Sequence, residues 1–417
     1  MYQPLDIIQT GSFSTVYRAY DTRSGEYVAL KVVAKPESPE KLDAITALVK
    51  NELKILKRLG NRHPNICALL DFYQDDSNFV FVLEYCHNGD LYDYMKLVKE
   101  SADSQEYTGK PDSLPSISRL QFHSLVYQLC SALSYCHSLG IAHRDFKPEN
   151  VLVTNTGKVK LTDFGLSHMG EQASDHRIGT EKYLAPETFT HSGSYNTYSA
   201  DFWSLGISIL YIMFGSCPFR SADRNSSKKN TNFLAFQDNP VQFVKQYYLP
   251  NLLDIDVEGG CDSFPPLFSK RHSIITSPKY WLEVVPNTSN LEHILLNVSC
   301  LVISHLLCSP SNRSMESFWY RLDNFITVLK MQTGSEISSV PPSLTQNQEY
   351  IEFTDPPSPQ SISSASFRMS SLGSMSRPFE EFMPRSFSSE SWDFDWDAGN
   401  SWLNNVKPVS LQQNSTM

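Results

Sequence analysis

The spacing of apolar positions changes along the chain. Up to about residue 86, short runs rich in Val, Ile, Leu and Tyr are separated by small polar residues. Ile7-Ile8 leads through Gln9-Thr10-Gly11-Ser12-Phe13-Ser14-Thr15 to Val16-Tyr17, and Val28-Ala29-Leu30-Lys31-Val32-Val33 follows a turn signal at Ser24-Gly25. β-rich runs joined by small residues predict a hairpin. Val80 to Cys86 predicts a buried strand running into a connector. Between them, Lys41 to Leu59 carries Leu48, Leu53, Ile55, Leu56 and Leu59 at roughly helical spacing, with charges between, and predicts a helix. Beyond residue 86 the helical period dominates. Leu120 to Leu139 repeats Phe122, Leu125, Val126, Leu129 and Leu133, and the stretch from Phe233 to Phe243 reads as helical. Ile294 to Cys308 is the most apolar run; it is too short to cross a bilayer and is interrupted by Asn297, Ser299 and His305, which predicts a buried helix.

Three stretches break these patterns. Asp103 to Ser116, with Gly109, Pro111 and Pro115, reads as an inserted loop, and Asp254 to Ser289 as a surface insertion or, less readily, a docking site. From about Thr333, Ser, Pro, Asn and Gln dominate without an apolar period, which predicts a disordered tail. Within it, Arg368-Met-Ser370 and Arg385-Ser386 set a cation before a hydroxyl. The acidic-aromatic cluster Trp392-Asp-Phe-Asp-Trp396, with Trp402, reads equally as plain tail or as a recognition element docking on this chain or a partner.

A chain of 417 residues can bury a sizeable core, and its net charge of −10 argues against nucleic acid as the main partner. The start, Met1-Tyr-Gln-Pro-Leu-Asp, has no basic or apolar leader. The eight Cys form no C-x-x-C pair and read as reduced thiols. The expectation is a protein without a nucleic-acid or membrane partner, in the cytoplasm, the nucleus or both.

Two polar knots carry the chemistry. His143-Arg144-Asp145-Phe146-Lys147-Pro148-Glu149-Asn150 lies between apolar residues on both sides. Its residue types suit phosphoryl transfer: Asp145 can accept a proton from an incoming hydroxyl, Lys147 can neutralise a phosphate, and Asn150 can hold a metal through its amide oxygen. Taken singly, Asp145 or Asn150 reads as part of a solvated turn. Downstream, a turn at Asn155-Thr156-Gly157 and an alternation through Val159 and Leu161 end in Thr162-Asp163-Phe164-Gly165, a carboxylate at a strand end. Together the knots resemble the H-R-D-x-K-x-x-N loop and the D-F-G triplet of the eukaryotic protein kinases. Ala185-Pro186-Glu187, Asp201-Phe202-Trp203-Ser204-Leu205-Gly206 and His63-Pro64-Asn65-Ile66 match further elements of that family. The stretch from Cys217 to Phe243 is loosely similar to fungal kinases that link nutrient state to meiosis.

The resemblance implies an α+β, two-lobed kinase fold over residues 1–332, with a small β-rich N-lobe (1–86), a mainly helical C-lobe (87–332) and a Ser-rich tail (333–417). It implies ATP between the lobes, with Mg2+ held by Asn150 and Asp163. Asp145 would orient and deprotonate a Ser or Thr hydroxyl, Lys147 and Lys31 would stabilise phosphate charge, and Glu52 would pair with Lys31. Gln9, Thr10, Gly11 and Ser12 would cover the phosphates. Gln9 and Ser14 stand where the family's G-x-G-x-x-G has its outer glycines, and Gly11 is expected to use a conformation barred to other residues. Leu83 would control the back of the adenine pocket, Glu84 and Cys86 would offer backbone groups, and Val16, Ala29 and Leu152 would sandwich the purine. Asp90 would meet the ribose or a substrate cation.

Lys147 and Thr180 point to Ser/Thr acceptors on protein substrates. Asp90 and Glu149 match positions that favour basic residues before the acceptor, so the tail is an expected self-phosphorylation target. Asp201 is expected to hold the backbone of His143 and Arg144, and Arg313 to pair with Glu187. In the family an arginine such as Arg144 often receives an activation-segment phosphate. Here His176 stands at the usual phosphosite with Ser174 close by, so the segment is expected to work without phosphate or through Ser174. Two rivals remain from sequence: a pseudokinase, motivated by the depleted glycine loop, and a scaffold whose tail is its main business.

Overall fold

In the computed structural model the described residues are 1–11, 14–103, 122–190, 193–225, 230–250, 252 and 291–333. The inserted loop after Asp103, the irregular segment Asp254 to Ser289 and the tail with its Trp cluster lie outside them. Five antiparallel strands form the N-lobe sheet: β1 (Tyr2–Thr10), β2 (Ser14–Asp21), β3 (Glu26–Ala34), β4 (Leu69–Gln74) and β5 (Asn78–Glu84), in the order β1-β2-β3-β5-β4. The β2–β3 turn closes on Gly25, whose φ of 77° suits glycine and whose amide donates to the Asp21 carbonyl at 2.8 Å. Strand alternation sends Val28, Leu30, Val80 and Val82 to a small outer cluster with Ala19. It sends Ala29, Val33, Phe79, Phe81 and Leu83 to the main core.

Helix α1 (Pro39–Leu59) meets that inner face. Val49, Glu52, Leu53 and Leu56, at i, i+3, i+4 and i+7, form its buried stripe. That stripe turns Leu48 outward at 51% exposure, so Val49, not Leu48 as its spacing suggested, packs inward.

The C-lobe holds α2 (Leu91–Asp103), α3 (Phe122–Ser138), α4 (Thr197–Phe214), α5 (Thr231–Asp238), α6 (Pro240–Tyr248), α7 (Leu291–His305) and α8 (Met315–Thr333). Helix α4 is apolar on nearly all sides and is buried along almost its whole length, as a central helix must be. Asn196 caps its start by accepting from the Ser199 amide, and Gly215 ends it in the left-handed conformation. The helical stretch expected from Phe233 to Phe243 is two helices. Asn239 breaks it, accepting from the Gln242 amide at 3.0 Å, and Pro240 opens the next helix. Phe233, Phe236 and Phe243 are buried in the same core as Trp203. Helix α7 buries Ile294, Leu295, Val298 and Val302, as its apolar run implied. Among the described residues no helix is long and apolar enough to cross a membrane. Cys67, Cys86, Cys130 and Cys136 are free and buried.

Candidate active site

A short hairpin positions the metal-binding candidates. After the two-residue strand β6 (Ile141–Ala142), strands β7 (Val151–Val153) and β8 (Val159–Leu161) pair antiparallel, with Val151 opposite Leu161. The pairing continues for one more residue, because the Thr162 amide donates to the Asn150 carbonyl at 2.9 Å. Asn150 and Asp163 therefore leave the same end of one ladder.

His143 stitches the two polar knots together. Its Nδ1 accepts from the Asp145 amide at 3.3 Å, so its Nε2 donates to the Thr162 carbonyl at 2.9 Å. Phe164, fully buried, packs edge-on against this ring at 5.0 Å. Asp201, in the first turns of α4, accepts the His143 and Arg144 amides on separate oxygens, each at 2.8 Å. Arg144 (φ 66°) and Asp163 (φ 60°) sit in the left-handed region, a strain of roughly 1–3 kcal/mol each for such residues. The Asp201 clamp holds the first and Lys31 the second.

Around Asp145 the contacts divide by oxygen. Its Oδ1 accepts the Thr180 amide at 2.8 Å. Its Oδ2 accepts Lys147 Nζ at 2.7 Å and Asn150 Nδ2 at 3.1 Å. Lys147 also donates to Thr180 Oγ1 at 2.7 Å, so the ammonium, the hydroxyl and the carboxylate meet as the resemblance implied. Asn150 Nδ2 donates again to the Asp145 carbonyl at 2.9 Å, which commits the amide nitrogen and leaves its oxygen as acceptor. Gly179 permits this closeness: with φ 118°, a side chain there would run into the Arg144 carbonyl and Leu184.

Lys31 Nζ lies 2.7 Å from Glu52 Oε1 and 2.9 Å from Asp163 Oδ1. Burial disfavours every charge in this trio. For Lys31 the two carboxylates outweigh it and raise the ammonium's pKa. Burial, with the Asp163 charge adding to it, raises the Glu52 pKa against the pull of Lys31. Burial would raise Asp163 too, but Lys31, His143 and Lys147 together hold it below the usual carboxylate range. A Cβ at Gly165 would meet Glu52 Oε2 at 3.4 Å and Asp163 Oδ1 at 3.5 Å, ordinary contact distances.

Among the residues expected around the purine, Ala29 pairs with Leu83, and Leu152 forms an isolated bridge with Asp90. Val16 and Leu152, partly buried, pack on the cluster that contains Ala29 and Leu83. Cys86 is buried at the connector. The Glu84 carboxylate is held by Lys160 at 2.9 Å, and the Glu84 carbonyl lies 3.6 Å from the Cys67 thiol. Asp90 caps α2, accepting the Asp93 amide at 2.9 Å, and burial raises its pKa. Gln9 and Thr10 are exposed at the end of β1, opposite Val16 and Thr15. Gly11 donates to the Ser14 carbonyl at 2.8 Å, its φ is not left-handed, and a Cβ would sit 3.5 Å from that oxygen. The turn is thus closed by a hydrogen bond, not by the glycine-specific conformation expected of Gly11. Ser12 lies outside the described residues.

Three charged partners, Asp175, Lys182 and Lys160, were missed from the sequence. Asp175 meets Arg144 in a bidentate pair, with Nη1 at 3.0 Å and Nη2 at 2.7 Å. Burial works against the Asp175 charge, and Arg144 outweighs it, lowering the carboxyl's pKa. A search for a hydroxyl to phosphorylate looks past an acid already at hand; the signal was Asp175 itself, between Ser174 and His176. Nearby, Arg177 reaches Asp223 at 2.7 Å. Glu149, expected to attract a substrate's basic residue, is held by this chain's own Lys182 at 2.9 Å and by the Tyr183 hydroxyl at 3.3 Å. Arg313 and Glu187 form their bidentate pair, with Nη2 to Oε2 at 3.0 Å.

A β-sheet lobe over a helical lobe, with a carboxylate, ammonium and amide gathered on paired loops, defines a protein kinase. A family model described as Protein kinase domain matches residues 2–251, and the chain belongs to that family as a serine/threonine kinase. The chain is similar to the probable serine/threonine-protein kinase FMP48 of Saccharomyces cerevisiae, with 39% identity over 344 residues, covering 78% of this chain and 86% of the yeast protein. It is also similar to CBL-interacting serine/threonine-protein kinases 18 and 19 of Arabidopsis thaliana, at 34% and 35% identity over 52% and 54% of this chain. These matches cover 39% and 42% of the two plant proteins, so the chain spans less than half of their length. Lys31, Glu52, Asp145, Asn150 and Asp163 are all present, and no observation favours a pseudokinase.

Proposed function

We propose that the chain moves the γ-phosphate of ATP to Ser and Thr hydroxyls of protein substrates with Asp145 as the proton acceptor, and does so without a phosphate on its activation segment. The observation that carries the first part is the meeting of Lys147, Thr180 and Asn150 on the two oxygens of Asp145, at 2.7 to 3.1 Å. Such a carboxylate is fixed in direction and can take a hydroxyl proton while Lys147 neutralises phosphate charge beside it. Lys31, anchored by Glu52, supplies a second fixed cation.

The polar groups present also fit magnesium, which takes hard oxygen donors and keeps phosphate and water oxygens in its shell. Asp163 meets Lys31 through one oxygen and its side chain stays 51% exposed. The Asn150 amide nitrogen is spent on Asp145, so its oxygen faces elsewhere. Bound by these two residues, the ion would neutralise phosphate charge. The chain's own part is positioning: Asp201 and His143 lock the loop, and the β7–β8 ladder sets Asn150 beside Asp163.

The second part rests on Asp175, whose carboxylate already gives Arg144 the bidentate anion that a phosphate would otherwise supply. Radiolabelled ATP and a Ser peptide test the reading with Asp145→Asn, which keeps the side chain's size. Loss of the base is expected to cut transfer by about 10²–10⁴-fold. Equal incorporation by variant and wild type refutes it.

A further inference from the structure

Glu149 and Lys182 flank the base. Glu149 lies in the same loop as Asp145, and Lys182 follows Thr180, whose amide and hydroxyl contact Asp145 and Lys147 at 2.8 and 2.7 Å. A peptide bringing its hydroxyl to Asp145 must lay its neighbouring residues along this rim. Lys182, Cys217, Phe219, Arg220 and Tyr247 line a cavity of about 520 Å³ that opens beside Thr180.

The acid on this rim is already satisfied. Glu149 Oε1 accepts Lys182 Nζ at 2.9 Å, and Oε2 accepts the Tyr183 hydroxyl at 3.3 Å. The same ammonium lies over the rings of Tyr183 and Tyr92, at 5.0 and 5.5 Å from their centroids, within cation–π reach. One carboxylate, two tyrosines and an ammonium thus form a closed set. The pair remains partly open, at 34% and 28% side-chain exposure, so a bound peptide would reach it. Asp90, the other acid expected to meet a substrate cation, accepts a backbone amide through Oδ1 at the start of α2. Within the cavity, exposed Glu181 and exposed Arg220 oppose one another in charge.

We propose that Lys182 is a specificity-determining residue that occupies Glu149 in place of a substrate's cation and so abolishes selection for Lys or Arg beside the acceptor. The inference rests on the kinase reading above and names the substrates of that same site. A cation arriving on a peptide has to displace an ammonium already held by a carboxylate and two ring faces. Removing Lys182 leaves Glu149 on the rim with the Tyr183 hydroxyl but without its ammonium, and the enzyme becomes selective for basic peptides.

The test uses the full chain and a peptide set in which single positions on either side of one Ser carry Ala or Arg. Transfer (kcat/KM) and binding (fluorescence anisotropy) are measured for wild type, Lys182→Gln and the Lys182→Gln/Glu149→Gln double variant. The Arg-to-Ala ratio within each protein cancels any loss of folded material. Wild type is expected to show ratios within about twofold at every position, Lys182→Gln a ratio raised about tenfold or more at one position at least, and the double variant a return to the wild-type ratio. A tenfold Arg preference in wild type, or an unchanged ratio in Lys182→Gln, overturns the proposal. If wild type phosphorylates no peptide, the kinase reading fails by itself, and the anisotropy ratios decide this proposal by the same criteria.

Discussion

Replacing Asp175 by Ala removes the anion that seats the activation segment on Arg144. The Arg144 side chain is 6% exposed and the Asp175 side chain 53%, so the pair is half buried. An exposed ion pair contributes about 0–1 kcal/mol, and breaking a buried one from one side costs roughly 3–5 kcal/mol. Solvent on the Asp175 side pulls the cost below the buried case, and two charge-assisted hydrogen bonds keep it above the exposed one. A cost of about 2 kcal/mol follows, equivalent to roughly 30-fold in the balance between seated and unseated segment. Arg177 to Asp223 and the Thr180 amide to Asp145 still hold the segment elsewhere, so part of that shift is absorbed. The expected result is a fall in kcat/KM of about tenfold, with faster proteolytic cutting of the segment. Ser174→Ala should leave activity near wild type. A pH arm separates carboxylate from phosphate. Because Arg144 lowers the Asp175 pKa, the pair's contribution is complete above the ordinary aspartate value near 4 and is lost only as pH falls through the lowered one. It is therefore constant from about pH 5 to 8, where a phosphate with a second pKa near 6 changes charge. Unchanged kcat/KM in Asp175→Ala, or a larger loss in Ser174→Ala, would refute the reasoning.

Three other outcomes are expected. Arg313→Ala should destabilise the chain by roughly 3–5 kcal/mol in urea unfolding, because it strands Glu187 and breaks the bond to the Ser199 carbonyl at 2.9 Å. Gly179→Ala should cut kcat about 100-fold, since the Arg144 carbonyl blocks a side chain there and Thr180 must shift off Asp145; single-turnover kinetics would check this. His63, buried against Ser131 and Tyr135, has its pKa pushed down to about 4 by burial and, secondarily, by Lys160. The unfolded chain therefore binds the proton first, and stability falls by up to about 3 kcal/mol as pH drops from 6.5 to 4, with the contribution complete above 6.5. Unfolding of His63→Asn across that range should lack this slope.

What could be read without coordinates was what the chain settles over short spans and what the family motifs fix, such as Asp201 on the His143 amide and Arg313 on Glu187. Asn150 and Asp163 were recognisable as partners through the two kinase motifs, and one turn, Asn155-Thr156-Gly157, joins the ladder between them. The β2–β3 alternation was legible from its period, and the Lys31–Glu52 pair from the resemblance to the kinase family. Leu48 failed because two helical stripes fit the same residues, and only packing against the sheet decides between them. Asp175, Lys182 and Lys160 failed for a different reason. Each meets its partner 31 residues or more away along the chain, and each is an ordinary charged residue until the contact forms. A sequence lists the charges a site has available; it does not say which are already neutralised from within. Here Arg144 and Glu149, two groups that could be read as waiting for a phosphate or a substrate cation, each hold a charged partner from the same chain. An active site whose accessory charges are paired internally has less to gain from an activating phosphate or a charged peptide. Asp175→Ala and Lys182→Gln probe the two sides of that single property.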